Sequence, residues 1–172
     1  MATPPEELLA KVKALLGAQA LDTHAHRGDA TVLVPVDSAR ECLQRLRDDA
    51  GLAFNLLIDV TAVDYLGREP RFEVVYHLAS LAPAPSADQP ASIRHRLRVK
   101  VGVDEQRCEA DSVAALWDAA NWYEREVWDL YGIRFRGHPD LRRILLYDEF
   151  QGHPLRKDYP KERRQPLVGP RN

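Results

Sequence analysis

The chain has 172 residues with 24 Lys and Arg against 26 Asp and Glu, a formal charge of −2; this length suits one domain that buries roughly 70% of its unfolded surface and needs no staple. The near-neutral balance gives no overall pull toward nucleic acid, and Cys42 and Cys108 lie far apart without paired spacing. That spacing argues against a disulfide framework, a zinc ribbon or an iron–sulfur ligand set, and for a reducing, cytoplasmic setting. The first residues lack a basic-then-apolar leader pattern and no run of about 18 apolar residues occurs, so the chain is expected to be neither exported nor membrane-spanning by itself.

Thr3, followed by Pro4 and three places on by Glu6, opens an amphipathic helix in which Leu8, Leu9, Val12, Leu15 and Leu16 recur at helical spacing until Gly17. Residues 21–36 read as two strands around Gly28-Asp29, a dipeptide suited to a tight hairpin turn. Ser38 with Glu41 forms a second capping box, and Ala39, Cys42, Leu43, Leu46 and Ala50 make an apolar stripe ending at Gly51.

Residues 55–66 are rich in β-branched and aliphatic side chains. After a turn at 67–70, Phe72, Val74, Tyr76 and Leu78 alternate with polar positions, which predicts a second hairpin. The Pro/Ala/Ser stretch 80–92, with Pro83, Pro85 and Pro90, is not expected to hold a strand ladder. Ile93, His95, Leu97, Val99, Val101 and Val103 then alternate with Arg94, Arg96, Arg98 and Lys100. This predicts a half-buried strand whose basic face either binds an anionic partner or, the preferred reading, is solvated and discourages edge pairing, with no interleaved aromatics to stack bases.

Asp111 or Ser112 is placed to cap a short helix carrying Val113, Leu116 and Trp117, and a further helix runs from about 121 to Tyr131, closed by Gly132. Beyond residue 150 the periodicity fades into a charged tail with Pro154, Pro160, Pro166 and Pro170. The expectation is an α+β domain over 1–150, two-layered with a mixed five-stranded sheet. Its order is helix, two strands, helix, three strands, then short helices, followed by an extended partner-binding tail over 151–172.

Two constellations invite chemistry. Asp22-Thr-His24-Ala-His26 sets two imidazoles on one strand face, as metal-dependent hydrolases do at the start of their barrel. That barrel typically needs about 250 residues and further ligands at later strand ends, so exposed hairpin histidines are the preferred reading. The second is the helix at 121–131, where Glu124, Arg125, Glu126 and Asp129 share about two turns with Trp122, Tyr123, Trp128 and Tyr131. No nucleophile elbow, phosphate-cradling Gly loop or metal set accompanies these carboxylates, so buried aromatics and paired charges are expected rather than acid–base catalysis. Arg125 and Asp129 are read as an i,i+4 pair, with Arg142 and Arg143 partnering the remaining carboxylates, and His138 and His153 as hydrogen-bonding loop anchors.

The wording of this region, EREVWDLYGIRF, then GHPDLRRILL, then GHPLRKDYP, resembles the signature of the C subunit of proton-translocating NADH:quinone oxidoreductase, the 30 kDa subunit family of respiratory complex I. The match falls on Glu124, Arg125, Glu126, Asp129, Gly132, His138, Pro139, Asp140, Leu141, Arg142 and Arg143. A second block covers Gly152, His153, Pro154, Arg156, Lys157, Asp158, Tyr159 and Pro160. The resemblance implies a non-catalytic subunit of the peripheral arm, on the cytoplasmic side of the bacterial inner membrane, bound to the D subunit that forms much of the quinone site and to the B subunit. It implies no cofactor in this chain, with FMN and iron–sulfur clusters held by other subunits. It leaves a related membrane-bound hydrogenase, or a quinone oxidoreductase using another donor, as the alternative parent complex.

Overall fold

The computed structural model describes residues 4–82, 91–162 and 164–166. Helix α1 (Pro5–Leu16) places Pro5 and two acids, Glu6 and Glu7, in its first turn and buries Leu8, Leu9, Val12 and Leu16 along one stripe. The cap expected from Thr3 falls outside the described residues. Strands β1 (Asp22–His24) and β2 (Thr31–Val34) pair antiparallel. The connection between them is wider than the expected tight turn and passes through Arg27 and Gly28, both at positive φ.

Helix α2 (Ala39–Asp48) buries Ala39, Cys42, Leu43 and Leu46 as the stripe predicts. Two details differ. Ser38 makes no side-chain capping bond, its hydroxyl facing the Cys42 Sγ at 3.9 Å instead. The helix also stops before Ala50, which is exposed, because the Asp49 carboxylate takes the N–H groups of Gly51 at 2.9 Å and Leu52 at 2.8 Å and turns the chain.

Strands β3 (Leu56–Asp64), β4 (Phe72–Ala82) and β5 (Ser92–Val103) complete a mixed five-stranded sheet in the order β1-β2-β5-β4-β3, parallel only between β2 and β5. The α+β class and the mixed sheet are as expected, with two corrections. The ladder continues into the stretch thought unable to hold it: Ser80, Leu81 and Ala82 pair with His95, Ile93 and Ser92 across a bulge. The prolines Pro83, Pro85 and Pro90 lie in residues 83–90, outside the described residues. The basic strand, moreover, lies in the middle of the sheet rather than guarding an edge, flanked by β2 and β4. Its alternation arises because Leu97, Val99, Val101 and Val103 lie in the core with Leu8, Val12, Leu43 and Leu46 of α1 and α2, while the arginines occupy the opposite face.

The helix expected at Val113–Trp117 is absent, and these residues form successive turns. The reason lies on either side of them. Residues Glu109–Asp111 form strand β6, parallel to β7 (Arg134–Arg136). Ser112, the candidate cap, does accept the Ala114 N–H at 3.2 Å, but its hydroxyl donates to Glu124, which also takes the Val113 N–H, and turns follow instead of a helix. Helix α3 (Ala120–Tyr131) ends at Gly132 in the left-handed conformation, as its sequence predicts. No helix among the described residues is long and apolar enough to cross a membrane.

Candidate functional site, a helix that holds its own C-terminal chain

Helix α3 turns opposite charges onto one loop. The Asp129 carboxylate, fully buried, accepts from the Arg143 guanidinium at 2.6 Å and from three consecutive backbone N–H groups, Ile144 at 3.1 Å, Leu145 at 2.9 Å and Leu146 at 2.9 Å. One turn earlier, Arg125 donates to the carbonyls of Arg142 at 3.1 Å and Arg143 at 2.9 Å. Thus the acid binds the donors of the loop and the base binds its acceptors, and an irregular segment with no ladder of its own has its polar groups satisfied. Burial works against the Asp129 charge, but the Leu146 N–H, the Arg143 guanidinium and the neighbouring amides outweigh it and hold the carboxyl below its ordinary value.

This corrects the expected i,i+4 pair: Arg125 and Asp129 do not bond each other. Arg142 pairs with the exposed Asp140 at 2.8 Å, and Glu126 is exposed without a hydrogen bond or ion pair among the described residues. Nor are the aromatics uniformly buried, since Trp122 is 65% exposed and stands beside Arg125.

The second block caps the helix. The last carbonyls of α3 have no partner within the helix. Asp129 O receives His153 Nδ1 at 2.9 Å, Leu130 O receives the Leu155 N–H at 3.1 Å, and Tyr131 O receives Arg156 Nε at 2.5 Å. His138 acts similarly at the other end, its Nε2 on Asn121 O at 2.9 Å and its Nδ1 accepting from the Asp140 N–H at 3.0 Å. Both histidines are therefore loop anchors, as their sequence setting suggests. Burial lowers the His153 pKa, which keeps the ring neutral at physiological pH.

Gly132 is required here twice over. Its φ is +77°, and a Cβ would stand 2.6 Å from His153 Cδ2 and 2.9 Å from Arg156 Nη2. Gly132→Ala is expected to cost about 1–2 kcal/mol from the backbone alone and to push the 153–156 segment off the helix end. Chemical denaturation and faster trypsin cleavage after Arg156 and Lys157 would register both; unchanged cleavage would show that the segment does not depend on this close approach.

The segment 151–160 is irregular but does not stand away from the domain. Lys157 N–H reaches Asp64 at 2.8 Å, and Arg71, 2% exposed, binds Asp64 bidentately at 2.9 Å, Asp158 at 2.7 Å and Glu105 at 2.5 Å. Tyr159 stacks on Phe150 at 6.2 Å, and Gln165 bonds both Gln151 and the Tyr159 hydroxyl. The division at 150/151 is thus crossed by buried bonds, and a free arm beginning at residue 151 is not what these contacts describe. Asp64 and Arg71 belong to this network although sequence patterning does not single them out. Their signal is a carboxylate and a guanidinium ending one strand and preceding the next, on the two sides of one turn.

Glu124 is fully buried and accepts from the Ser112 hydroxyl and the Val113 N–H, each at 2.6 Å. Burial raises its pKa to about 7 against the pull of these two bonds. A carboxyl whose folded pKa lies above its unfolded value of 4.5 takes up a proton on folding between those values. Its contribution therefore erodes as pH rises from about 4.5 to about 7 and reaches a penalty of at most roughly 3 kcal/mol above that. Glu124→Gln keeps the acceptor for Val113 and is expected to flatten this part of the stability–pH curve, with its gain over wild type appearing at pH 8 and vanishing near pH 4. Urea midpoints across that range test it, and parallel curves would place the titration elsewhere.

His24 and His26 do come together, rings stacked at 4.3 Å, but only His24 lies on the strand. Burial, His26 and Lys100 lower the His24 pKa. Among the described residues no three of His, Cys, Asp and Glu gather as a ligand set.

The chain is thus an α+β domain in which two buried charges of α3 are spent on its own main chain and fix the shape of the loop at 142–146. Comparison with known proteins makes this particular. A family model described as respiratory-chain NADH dehydrogenase, 30 Kd subunit, matches residues 32–165. The NADH-quinone oxidoreductase C subunit of Citrifermentans bemidjiense is 48% identical over 92% of this chain and 92% of its own length. The protein of the same name from Geobacter metallireducens is 49% identical over 92% of this chain and 93% of its own. The solved trypsin-resistant fragment of Nqo5 superposes with a TM-score of 0.63 at 34% identity, covering 79% of this chain and 98% of the fragment. The chain belongs to the 30 kDa subunit family of respiratory-chain NADH dehydrogenase.

Proposed function

We propose that the chain is the C subunit of an NADH-quinone oxidoreductase, a peripheral-arm component of complex I that braces its electron-carrying neighbours and performs no chemistry itself. The observation that carries this is the near end-to-end identity to C-subunit relatives, 48% over 92% of both chains. The finer assignments belong to the same reading. FMN and iron–sulfur clusters reside in other subunits, the partners are the D and B subunits, the parent complex translocates protons, and the chain sits on the cytoplasmic side of the bacterial inner membrane. The exposed Trp122, Leu145, Tyr147 and Leu155 border the clamp of α3, and aromatic and aliphatic anchors beside ordered polar groups are what an interface between proteins uses. The partner-binding role expected of residues 151–172 belongs to the same reading. Affinity purification of the tagged full chain with identification of its companions is the test. Co-purification with NADH-oxidising activity and with the D and B subunits supports the reading; a complex with hydrogenase subunits, or iron or flavin held by the isolated chain, would overturn it.

A further inference from the structure

Strand β5 is twelve residues long, Ser92–Val103, but its neighbour β2 begins only at Thr31, opposite Arg98. On that side, residues 92–97 have no strand beside them among the described residues, an edge of roughly 20 Å at about 3.3 Å per residue. The edge opens on a notch of about 780 Å³, walled by Pro4, Pro5 and Leu8 at the start of α1 and by Gly28, Asp29 and Ala30 before β2.

Register shows which groups face it. Arg98 N–H donates to Ala30 O at 2.9 Å, so the main-chain polar groups of Arg98 point toward β2. In a strand the next residue to do so is two places away, and the Arg96↔Ala79 pairing with β4 is accordingly of the non-hydrogen-bonded kind. The Arg96 N–H and C=O therefore face the notch, with no partner among the described residues. His95, 9% exposed, lines the same notch with its Nδ1 buried and without a hydrogen bond.

The flanking charge is positive. Arg94, Arg96 and Arg98 share the face of β5 away from α1 and α2, and Asp29, the notch's own carboxylate, already pairs with Arg98 at 3.1 Å. The accessible apolar surface of the notch comes from Pro4, Pro5 and Ile93, the last 38% exposed, while Leu8 and Leu97 belong to the core.

We propose that this edge is a β-addition site for an extended segment of another polypeptide, one that carries carboxylates against Arg96 and Arg98 and aliphatic side chains against Pro4, Pro5 and Ile93. The segment would lie in line with β2 and complete the row that β2 leaves short. The chain's own residues 83–90 are a poor occupant, since three of the eight are prolines without an N–H. This goes beyond membership of the complex and rests on it only for where the segment comes from.

Two arms test it separately. In the full isolated chain, a synthetic peptide alternating Glu and Val is expected to slow hydrogen exchange of the Arg96 amide, whereas a Lys/Val peptide does not. Arg96→Pro, which removes the outward-facing N–H together with the side-chain charge, should weaken the acidic peptide more than Arg96→Glu, which keeps the N–H and reverses the charge. Arg96→Glu should itself weaken it about three- to tenfold, the worth of one charge contact. In the purified complex, amides 94–96 should exchange more slowly than in the isolated chain. No slowing by saturating acidic peptide, equal slowing by the Lys/Val peptide, or concentration-dependent protection in the isolated chain that marks a second copy would each overturn the proposal. Should the chain fail to enter an NADH-oxidising complex, the proposed function falls while the peptide arm still decides the edge.

Discussion

Asp129→Ala is expected to destabilise the full chain by about 3–5 kcal/mol, the range found when one partner of a buried charge pair is removed. The carboxylate has no solvent access, and its loss takes one partner from the Arg143 guanidinium, which keeps the Phe150 and Gly152 carbonyls, and the acceptor from the N–H groups of Ile144, Leu145 and Leu146. Each part-buried donor left unpaired carries a desolvation penalty to the extent that water does not reach it. Asp129→Asn should fall between wild type and alanine, because the amide oxygen still accepts while its NH2 faces donors. Urea midpoints give both numbers. A loss under about 1 kcal/mol for alanine would mean that residues 142–146 are held by something other than this carboxylate. The direction of the Asp129 shift adds a condition. A carboxyl held below its ordinary value contributes stability that is present above its unfolded pKa and lost as pH falls through the folded one. The difference between wild type and Asp129→Ala should therefore shrink in acid.

Period-two and helical patterning made the sheet and the helices legible, because both are set by which residues leave water. Helices α1, α2 and α3 and strands β3, β4 and β5 announce themselves in this way. What patterning could not show was who bonds whom. Arg125 and Asp129 stand one helical turn apart, and the local rule pairs them. Yet the loop 142–146 offers three donors to one and two acceptors to the other, and a carboxylate that can satisfy three amides outcompetes a lone surface pair. Similarly, Ser112 reads as a cap for residues 113–117 and does accept the Ala114 N–H, but the buried Glu124 takes the Val113 N–H as well as the Ser112 hydroxyl proton, and the expected helix gives way to turns beside β6. The central position of β5 was hidden because strand order depends on the crossover between β2 and β5, a contact across more than sixty residues that no local window contains.

The motif blocks were legible as a unit before their purpose was. Gly132, His153 and Arg156 make sense only together: the left-handed glycine opens the space, the imidazole and guanidinium fill it, and the helix carbonyls receive them. Read singly, each is an ordinary loop residue. Their spacing of about twenty residues reflects the excursion of the chain through β7 and the 142–146 loop before it returns to the helix end.

Arg71 anchors that return from the other side, and its replacement is the second large effect expected. Arg71→Met should cost about 3–5 kcal/mol, because it leaves Asp64, its side chain 1% exposed, with only the Lys157 N–H as a donor. Asp158 matters less to this sum, since its side chain is 48% exposed and recovers water when released. The consequence for the chain's shape is larger than for its stability. With Asp158 free, the 156–159 segment loses its link to the start of β4, so trypsin should cut after Arg156 and Lys157 sooner than in wild type. Pairing the change with Asp64→Leu should recover much of the stability, as apolar replacement of a buried ion pair often does, but not the protease resistance, because Asp158 still lacks its partner. The Arg71 bonds hold Asp64 below its ordinary pKa, so their stabilisation is complete above the unfolded value near 3.8 and disappears as pH drops through the folded one. In Arg71→Met the same carboxyl is buried without its cation and is relieved by protonation. The gap between mutant and wild type should therefore be full at pH 7, begin to close above the ordinary carboxylate value as the mutant's Asp64 takes a proton, and close further in acid as the wild-type bonds are lost. A gap that stays constant into acid would mean that the arginine stabilises by packing against Phe72 rather than by holding Asp64.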